Sequence, residues 1–172
     1  MRRAASVARH AADFVITELS SDGDLRKSVR VIRGAFATVA EDLRLTKENA
    51  PTHPSFIRLE KVRTSFTSGV AYFGLRLRGR LVGCVAVEKA ENCCYIERLS
   101  VLPGFRHRGF GLALVEHAIG YARKAGAARA SVGIIDTQRA LKNWYVSLGF
   151  EVKELRAYSH LPFTVCIMEK EI

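Results

Sequence analysis

No apolar run in this 172-residue chain reaches the roughly 20 residues that a membrane-spanning helix needs, so no membrane partner is expected. The four cysteines, Cys84, Cys93, Cys94 and Cys166, make no CxxC pair and no Cys/His zinc spacing. They read as reduced, mostly buried thiols of a cytoplasmic protein, and no metal is expected. Internal repeats, low-complexity tracts and long linkers are also missing. Residues 1–12 contain no acid, only Arg2, Arg3 and Arg9 among alanines and small residues. That composition fits a transit peptide but is short for one. No apolar stretch follows the arginines, which excludes a secretory signal, so a disordered tail over 1–12 is the expectation.

The remainder, 13–172, has ordinary globular composition, 48% apolar and 26% charged over the whole chain, and reads as one domain. A net charge of +10 suggests an anionic partner, although a basic surface without any specific partner is the plainer reading. Nucleic-acid binding would want basic residues clustered with exposed aromatics. Here the arginines are scattered, apart from Arg76, Arg78 and Arg80 in a hairpin and Arg106 and Arg108 in a loop. Nucleic acid is therefore disfavoured.

Hydrophobic periodicity organises the chain. A strand at 14–19 leads into a helix with Leu25, Val29, Ile32, Phe36, Val39 and Leu43 on one face, capped by Asp22 or Asp24. A Pro-containing loop at 46–54 precedes a second helix at 55–66. Strands at 70–77 and 81–87 flank the turn Arg78-Gly79-Arg80, and a third strand at 93–102 stops at Pro103-Gly104. A helix over 109–125 ends at Gly126, a strand follows at 130–135, and Leu141, Trp144, Tyr145 and Leu148 mark one helix face before Gly149. Strands at 150–155 and 163–169 close the chain. Hairpins followed by βαβ crossovers predict an α/β (α+β) fold, with a mixed, mostly antiparallel twisted sheet of about seven strands and about four flanking helices.

Chemistry concentrates at Glu97-Arg-Leu-Ser-Val-Leu-Pro-Gly-Phe-Arg-His-Arg-Gly-Phe-Gly-Leu112. A strand ends, a turn follows, and a basic Gly-rich loop opens a helix. Helix N-termini present unpaired N–H groups and a positive dipole end, so the stretch predicts a phosphate site. Gly109 and Gly111 allow close backbone approach, and Arg106, His107 and Arg108 add charge. There is no GxxxxGK[ST], and Leu114 stands where a dinucleotide fingerprint needs its third glycine.

Arg106-x-x-Gly109-x-Gly111 resembles the acetyl-CoA signature of the GNAT acetyltransferases. Leu99-x-Val101-x-Pro103 is similar to the strand that precedes that signature, and Tyr145-Val-Ser-Leu-Gly149-Phe150 resembles the family's Tyr-x-x-x-Gly-Phe ending. The resemblance runs from about Phe14 to the C-terminus, and the segments 46–55 and 160–166 resemble stretches in a subset of members. It implies the GNAT fold and an N-acetyltransferase acting by direct attack, with acetyl-CoA as cosubstrate. It also implies that backbone N–H groups of Arg106, His107, Arg108, Gly109, Phe110, Gly111 and Leu112 hold the CoA pyrophosphate. Leu99 and Val101 would pair with the pantetheine arm. Gln138 stands where many members carry Asn, with the same donor and acceptor set on a longer reach.

Tyr145 occupies the family's general-acid position; its other reading is a core aromatic. Glu97 is the candidate base. By strand alternation it shares a face with Leu99 and Val101, where desolvation would raise its pKa. Equally, Glu97 could pair with a nearby arginine and do nothing chemical, and a bulge would break the alternation. No histidine neighbours the cysteines, so an acyl-cysteine route carries little weight. The acceptor is an amine on a small molecule or peptide, not identified by any cluster, and a homodimer is left open. A non-catalytic acyl-CoA-binding module is the alternative; it is disfavoured because Tyr145 and the glycine signature are both intact.

Overall fold

A computed structural model describes residues 14–172; the expected tail over 1–12 lies outside the described residues. The elements run β1 (Phe14–Glu18), α1 (Asp22–Asp42), a 3-10 turn (Pro54–Phe56), α2 (Leu59–Thr67), β2 (Ala71–Leu77), β3 (Arg80–Lys89) and β4 (Cys93–Val101). A second 3-10 turn (Pro103–Phe105) leads to α3 (Phe110–Lys124), β5 (Arg129–Ile135), α4 (Arg139–Ser147), β6 (Glu151–Ala157) and β7 (Thr164–Glu171). The strands form a seven-stranded sheet in the order β1-β2-β3-β4-β5-β7-β6. Every neighbouring pair is antiparallel except β4 and β5.

Two expectations shift locally. The cap of α1 is Ser21, whose Oγ accepts the Asp24 N–H at 3.1 Å. Asp22 and Asp24 instead sit in the first turn, favourable for the helix dipole, and pair with Arg63 at 2.7 Å and Arg76 at 2.5 Å. The helix expected at 55–66 is split: Ile57 and Arg58 are extended, with ψ of 136° and 153°, so a 3-10 turn capped by His53 precedes α2. The hairpin turn between β2 and β3 has Arg78 at φ 49° and Gly79 at φ 80°. Two left-handed residues match the twist of the flanking strands, which is why glycine follows the arginine there.

Side chains from alternate strand positions fill two cores, one on each face of the sheet. On one face Leu114, Val115, Ala118 and Ala122 of α3 and Tyr145 of α4 pack on Val85, Val87, Ile96 and Met168. On the other, Leu25, Val29 and Ile32 of α1 and Val62 of α2 cover Tyr72, Cys84 and Ala86. All four cysteines are buried and free. No described helix is long and apolar enough to cross a membrane.

Candidate active site

Strands β4 and β5 are the one parallel pair among the described residues, and they pair only over Cys93–Tyr95 against Arg129–Ser131. Beyond that point they separate. A cavity of about 940 Å³ opens between them, lined by Ile96, Glu97, Arg98, Leu99 and Val101 of β4 and Val132–Ile135 of β5. Helix α1 and the segment Thr52-His53-Pro54 wall it on one side; the loop 105–112 and Gln138, Leu141, Trp144 and Tyr145 wall it on the other.

The loop builds its lining from main chain. The N–H groups of His107, Arg108, Gly109, Phe110, Gly111 and Leu112 donate to nothing among the described residues. His107 has φ 59° and Gly109 φ 81°. Alternating hands turn successive N–H groups inward and make an anion-binding concavity at the start of α3. The N–H of Arg106 does not join them, because it donates to the Pro103 carbonyl at 3.2 Å. Its guanidinium is engaged too: Nε donates to Val101 O at 3.2 Å, and Nη2 to Ala35 O at 2.7 Å and Thr38 Oγ1 at 3.2 Å. Arg106 therefore rivets the loop to α1, contrary to the expectation that its charge faces a ligand. Arg108 and Arg80 both lie over the Phe105 ring, at 5.5 and 5.4 Å from its centroid, and keep the rim basic. The Phe110 ring is buried against Phe14, so only its N–H faces the concavity. Gly109 cannot be replaced without strain at its φ, whereas a Cβ on Gly111 would meet Trp144 at an ordinary 3.7 Å.

The alternation argument for Glu97 fails at a bulge. Ala86 faces Glu97 and Cys84 faces Ser100, so two residues, Arg98 and Leu99, oppose Val85 alone; Arg98 has φ 54°. Leu99 and Val101 pack toward the α3 side. Arg98 turns toward the α1–α2 side, donating to the Tyr72 hydroxyl, with its guanidinium 5.8 Å from the Tyr72 ring centroid. Glu97, paired across the sheet with Ala86 of that same side, stands 3.5 Å from Arg98 Nη2 with 39% of its side chain exposed. It is partly solvated and ion-paired rather than desolvated beside Leu99.

Tyr145 is 4% exposed, packed edge-on to Trp144 at 4.9 Å and Phe150 at 5.3 Å. Burial pushes its phenol well above the usual tyrosine range. The hydroxyl has no hydrogen bond among the described residues, yet no sealed side-chain oxygen lacks a partner, so it opens to the cavity that Tyr145 lines. Gln138 sits just before α4, its N–H on the Ile135 carbonyl at 3.0 Å, at the cavity wall. Burial pushes the Cys84 thiol up to about 12, which keeps it protonated and a poor nucleophile. Sequence reasoning missed His53. It is 5% exposed on the opposite wall, and the one signal for it was the Pro-flanked segment 46–55.

The family model of the acetyltransferase (GNAT) family matches residues 36–150, spanning β4, the N–H concavity and α4. The chain belongs to the GNAT family. A curated relative, an uncharacterised N-acetyltransferase of Methanocaldococcus jannaschii, is 35% identical over 92 residues, covering 49% of this chain and 40% of the relative. The matched stretch thus spans less than half of that relative's length. Among solved structures, the ribosomal-protein-S18-alanine N-acetyltransferase of Escherichia coli aligns with a TM-score of 0.74 at 19% identity, over 92% of this chain and 94% of the other. The PaiA N-acetyltransferase of Thermoplasma acidophilum, in complex with coenzyme A, aligns with a TM-score of 0.73 at 18% identity, over 92% and 99%. At such identities the two structures establish the GNAT fold.

Proposed function

We propose that this protein is an acetyl-CoA-dependent N-acetyltransferase that moves an acetyl group to a primary amine by direct attack. The observation that carries the reading is the row of six unpartnered N–H groups, His107 to Leu112, at the mouth of a gap between two strands that leads to the Tyr145 hydroxyl. The donor chemistry fits CoA. Six main-chain donors at a helix start suit a pyrophosphate, and the open edges of β4 and β5 suit an arm carrying two amides. The PaiA neighbour, solved with coenzyme A, supports CoA as the ligand of this fold.

The thioester supplies an activated acetyl group; the chain's own residues position it and move two protons. An alkyl ammonium, pKa ~10.4, must lose its proton before its nitrogen attacks the carbonyl carbon. Glu97 takes that proton through water, a role that its partial exposure permits and its pairing with Arg98 leaves open on one oxygen. As the C–N bond forms and the C–S bond breaks, Tyr145 donates its phenolic proton to the departing sulfur, and the new amide nitrogen sheds its extra proton to water, which returns one to the phenolate. Burial that raises the phenol raises a thiolate beside it in the same direction, so the transfer stays feasible despite the shift. The free thiols and the need for acetyl-CoA fit a cytoplasmic setting.

The test is calorimetric binding of acetyl-CoA, followed by thiol release against pooled amines. Absence of both would overturn the reading. Glu97→Gln should abolish the acid limb of the pH–rate profile; an unchanged limb would move the base elsewhere.

A further inference from the structure

His53 is a buried polar group that the acetyl-transfer chemistry does not use. Its ring is held edge-on between Phe36 of α1, at 5.6 Å, and Phe56 of the 3-10 turn, at 6.2 Å. Ser55 occupies one nitrogen: its N–H donates to Nδ1 at 3.4 Å and its Oγ lies 2.8 Å from the same atom. Nε2 has no partner among the described residues. Since no sealed side-chain nitrogen there lacks a partner, Nε2 opens to the cavity that His53 lines.

The state of the ring follows. The Ser55 N–H contact selects the tautomer in which Nδ1 keeps its lone pair, and in that tautomer the Ser55 hydroxyl also donates to Nδ1. Burial disfavours the imidazolium and moves the pKa below the usual histidine value. No ion pair to His53 occurs among the described residues; α1 and the 3-10 turn present it with the rings of Phe36 and Phe56 and with Ser55. A neutral ring with Nδ1 unprotonated carries its proton on Nε2. His53 therefore offers the cavity one fixed, uncharged N–H donor and no base.

The charges around the cavity narrow the occupant further. Its lining holds a single carboxylate, Glu97, and Arg98 stands beside it; Arg106 and His107 are its other titratable members besides His53 and Tyr145. A polycationic acceptor would meet no second acid there. Resting on the acetyl-transfer reading, we infer that the acceptor is an α-aminoacyl group, the free amine of a peptide or amino-acid derivative, whose carbonyl oxygen receives the His53 Nε2–H. An amine of this kind brings one charge to Glu97 and one oxygen to His53. Phe36, Val39 and Phe163 offer its side chain an apolar wall.

The test uses conjugates in which CoA sulfur is joined through a methylene-carbonyl link to three amines: an alanyl peptide, an alkylamine of matched length without oxygen, and spermidine. Their affinities are read by calorimetry, beside that of CoA itself. The alanyl conjugate should bind about 5- to 100-fold more tightly than the alkyl one, the range for leaving a buried donor unmatched. His53→Phe keeps the ring contacts, and His53→Asn keeps an acceptor for the Ser55 N–H; both should bring the ratio to about one while CoA affinity holds. Nitrogen-15 spectra of the imidazole should show the proton on Nε2. Equal affinities in the parent, a ratio that survives both variants, a preference for the spermidine conjugate, or a proton on Nδ1 would each overturn the inference. Failure of CoA itself to bind would instead overturn the acetyl-transfer reading on which it rests.

Discussion

The two walls of the cavity are made differently. Where the α3 wall meets the mouth it is main chain: consecutive N–H groups of one short loop, set by the φ values of His107 and Gly109. The α1 wall is side chain: Phe36, Val39 and His53 come from a helix and a loop, and Glu97 and Arg98 come across from a bulged strand. A backbone wall recognises what all ligands of a class share, here the phosphates of the proposed CoA. A side-chain wall can differ between relatives without altering the frame that holds it.

The sharpest break of that comparison is Tyr145→Phe, at a side chain that stands on the same side as the main-chain loop. Deleting one hydroxyl while keeping the ring contacts to Trp144 and Phe150 should lower turnover by ~10²–10⁴ and leave acetyl-CoA affinity and melting temperature nearly unchanged. Parent-like turnover would make the tyrosine a core residue. Next in size is Gly109→Val. Forcing a branched residue to φ 81° costs about 1–3 kcal/mol, so CoA affinity should fall roughly 5- to 150-fold with the far-ultraviolet spectrum preserved. Gly111→Ala should change affinity far less, since its Cβ enters ordinary contact with Trp144. Equal losses would mean that the two glycines act alike.

Arg106→Gln and Arg108→Ala separate frame from charge. Losing guanidinium bonds to two carbonyls and Thr38 should cost about 1.5–3 kcal/mol of stability, read by denaturant midpoint. Arg108→Ala should leave the midpoint alone and weaken CoA binding a few-fold, an effect that fades with added salt. The smallest effect concerns pH. Burial lowers the pKa of both His53 and His117 in the folded protein. A folded state that resists protonation loses stability as pH falls below the unfolded histidine value of ~6.5, and the loss stops growing below the folded pKa values. The melting temperature should therefore drop on acidification from about pH 7 to 5. His53→Asn should flatten that drop in part, and the further exchange His117→Asn should flatten it more.

Much of the fold was legible because its signals are local. The apolar spacing of α1, the Arg78-Gly79 turn and the Gly126 and Gly149 stops each depend on a few neighbouring residues. The N–H concavity was legible for the same reason: a loop that opens a helix is one contiguous segment. What sequence could not supply was long-range. Arg106 looks like a ligand contact until Ala35 and Thr38, some seventy residues away in the chain, claim its donors. Glu97 shares a strand face with Leu99 only in an unbulged strand, and the Arg98 bulge pairs with Tyr72, twenty-six residues away in the chain. His53 carries no motif, and only the folded segment reveals that one nitrogen is taken and the other is not.

The gap between β4 and β5 also bears on how the protein behaves in a crowded solution. From Ile96 in one strand and Val132 in the other, each strand keeps a main-chain edge without a strand partner among the described residues, placed in the middle of the sheet instead of at its border. Unpaired edges are templates for extended chain, and a passing polypeptide can add to them as readily as a designed ligand. The outer strand β6 is exposed along its whole length, but it carries Glu151, Lys153, Glu154 and Arg156, charges that discourage pairing with a stranger. The inner edges carry Ile96, Leu99, Val132 and Ile134, and their one pair of charges, Glu97 and Arg98, is spent on each other. Occupancy of the gap therefore serves as the guard, and self-association of the emptied protein should begin at the centre of the sheet.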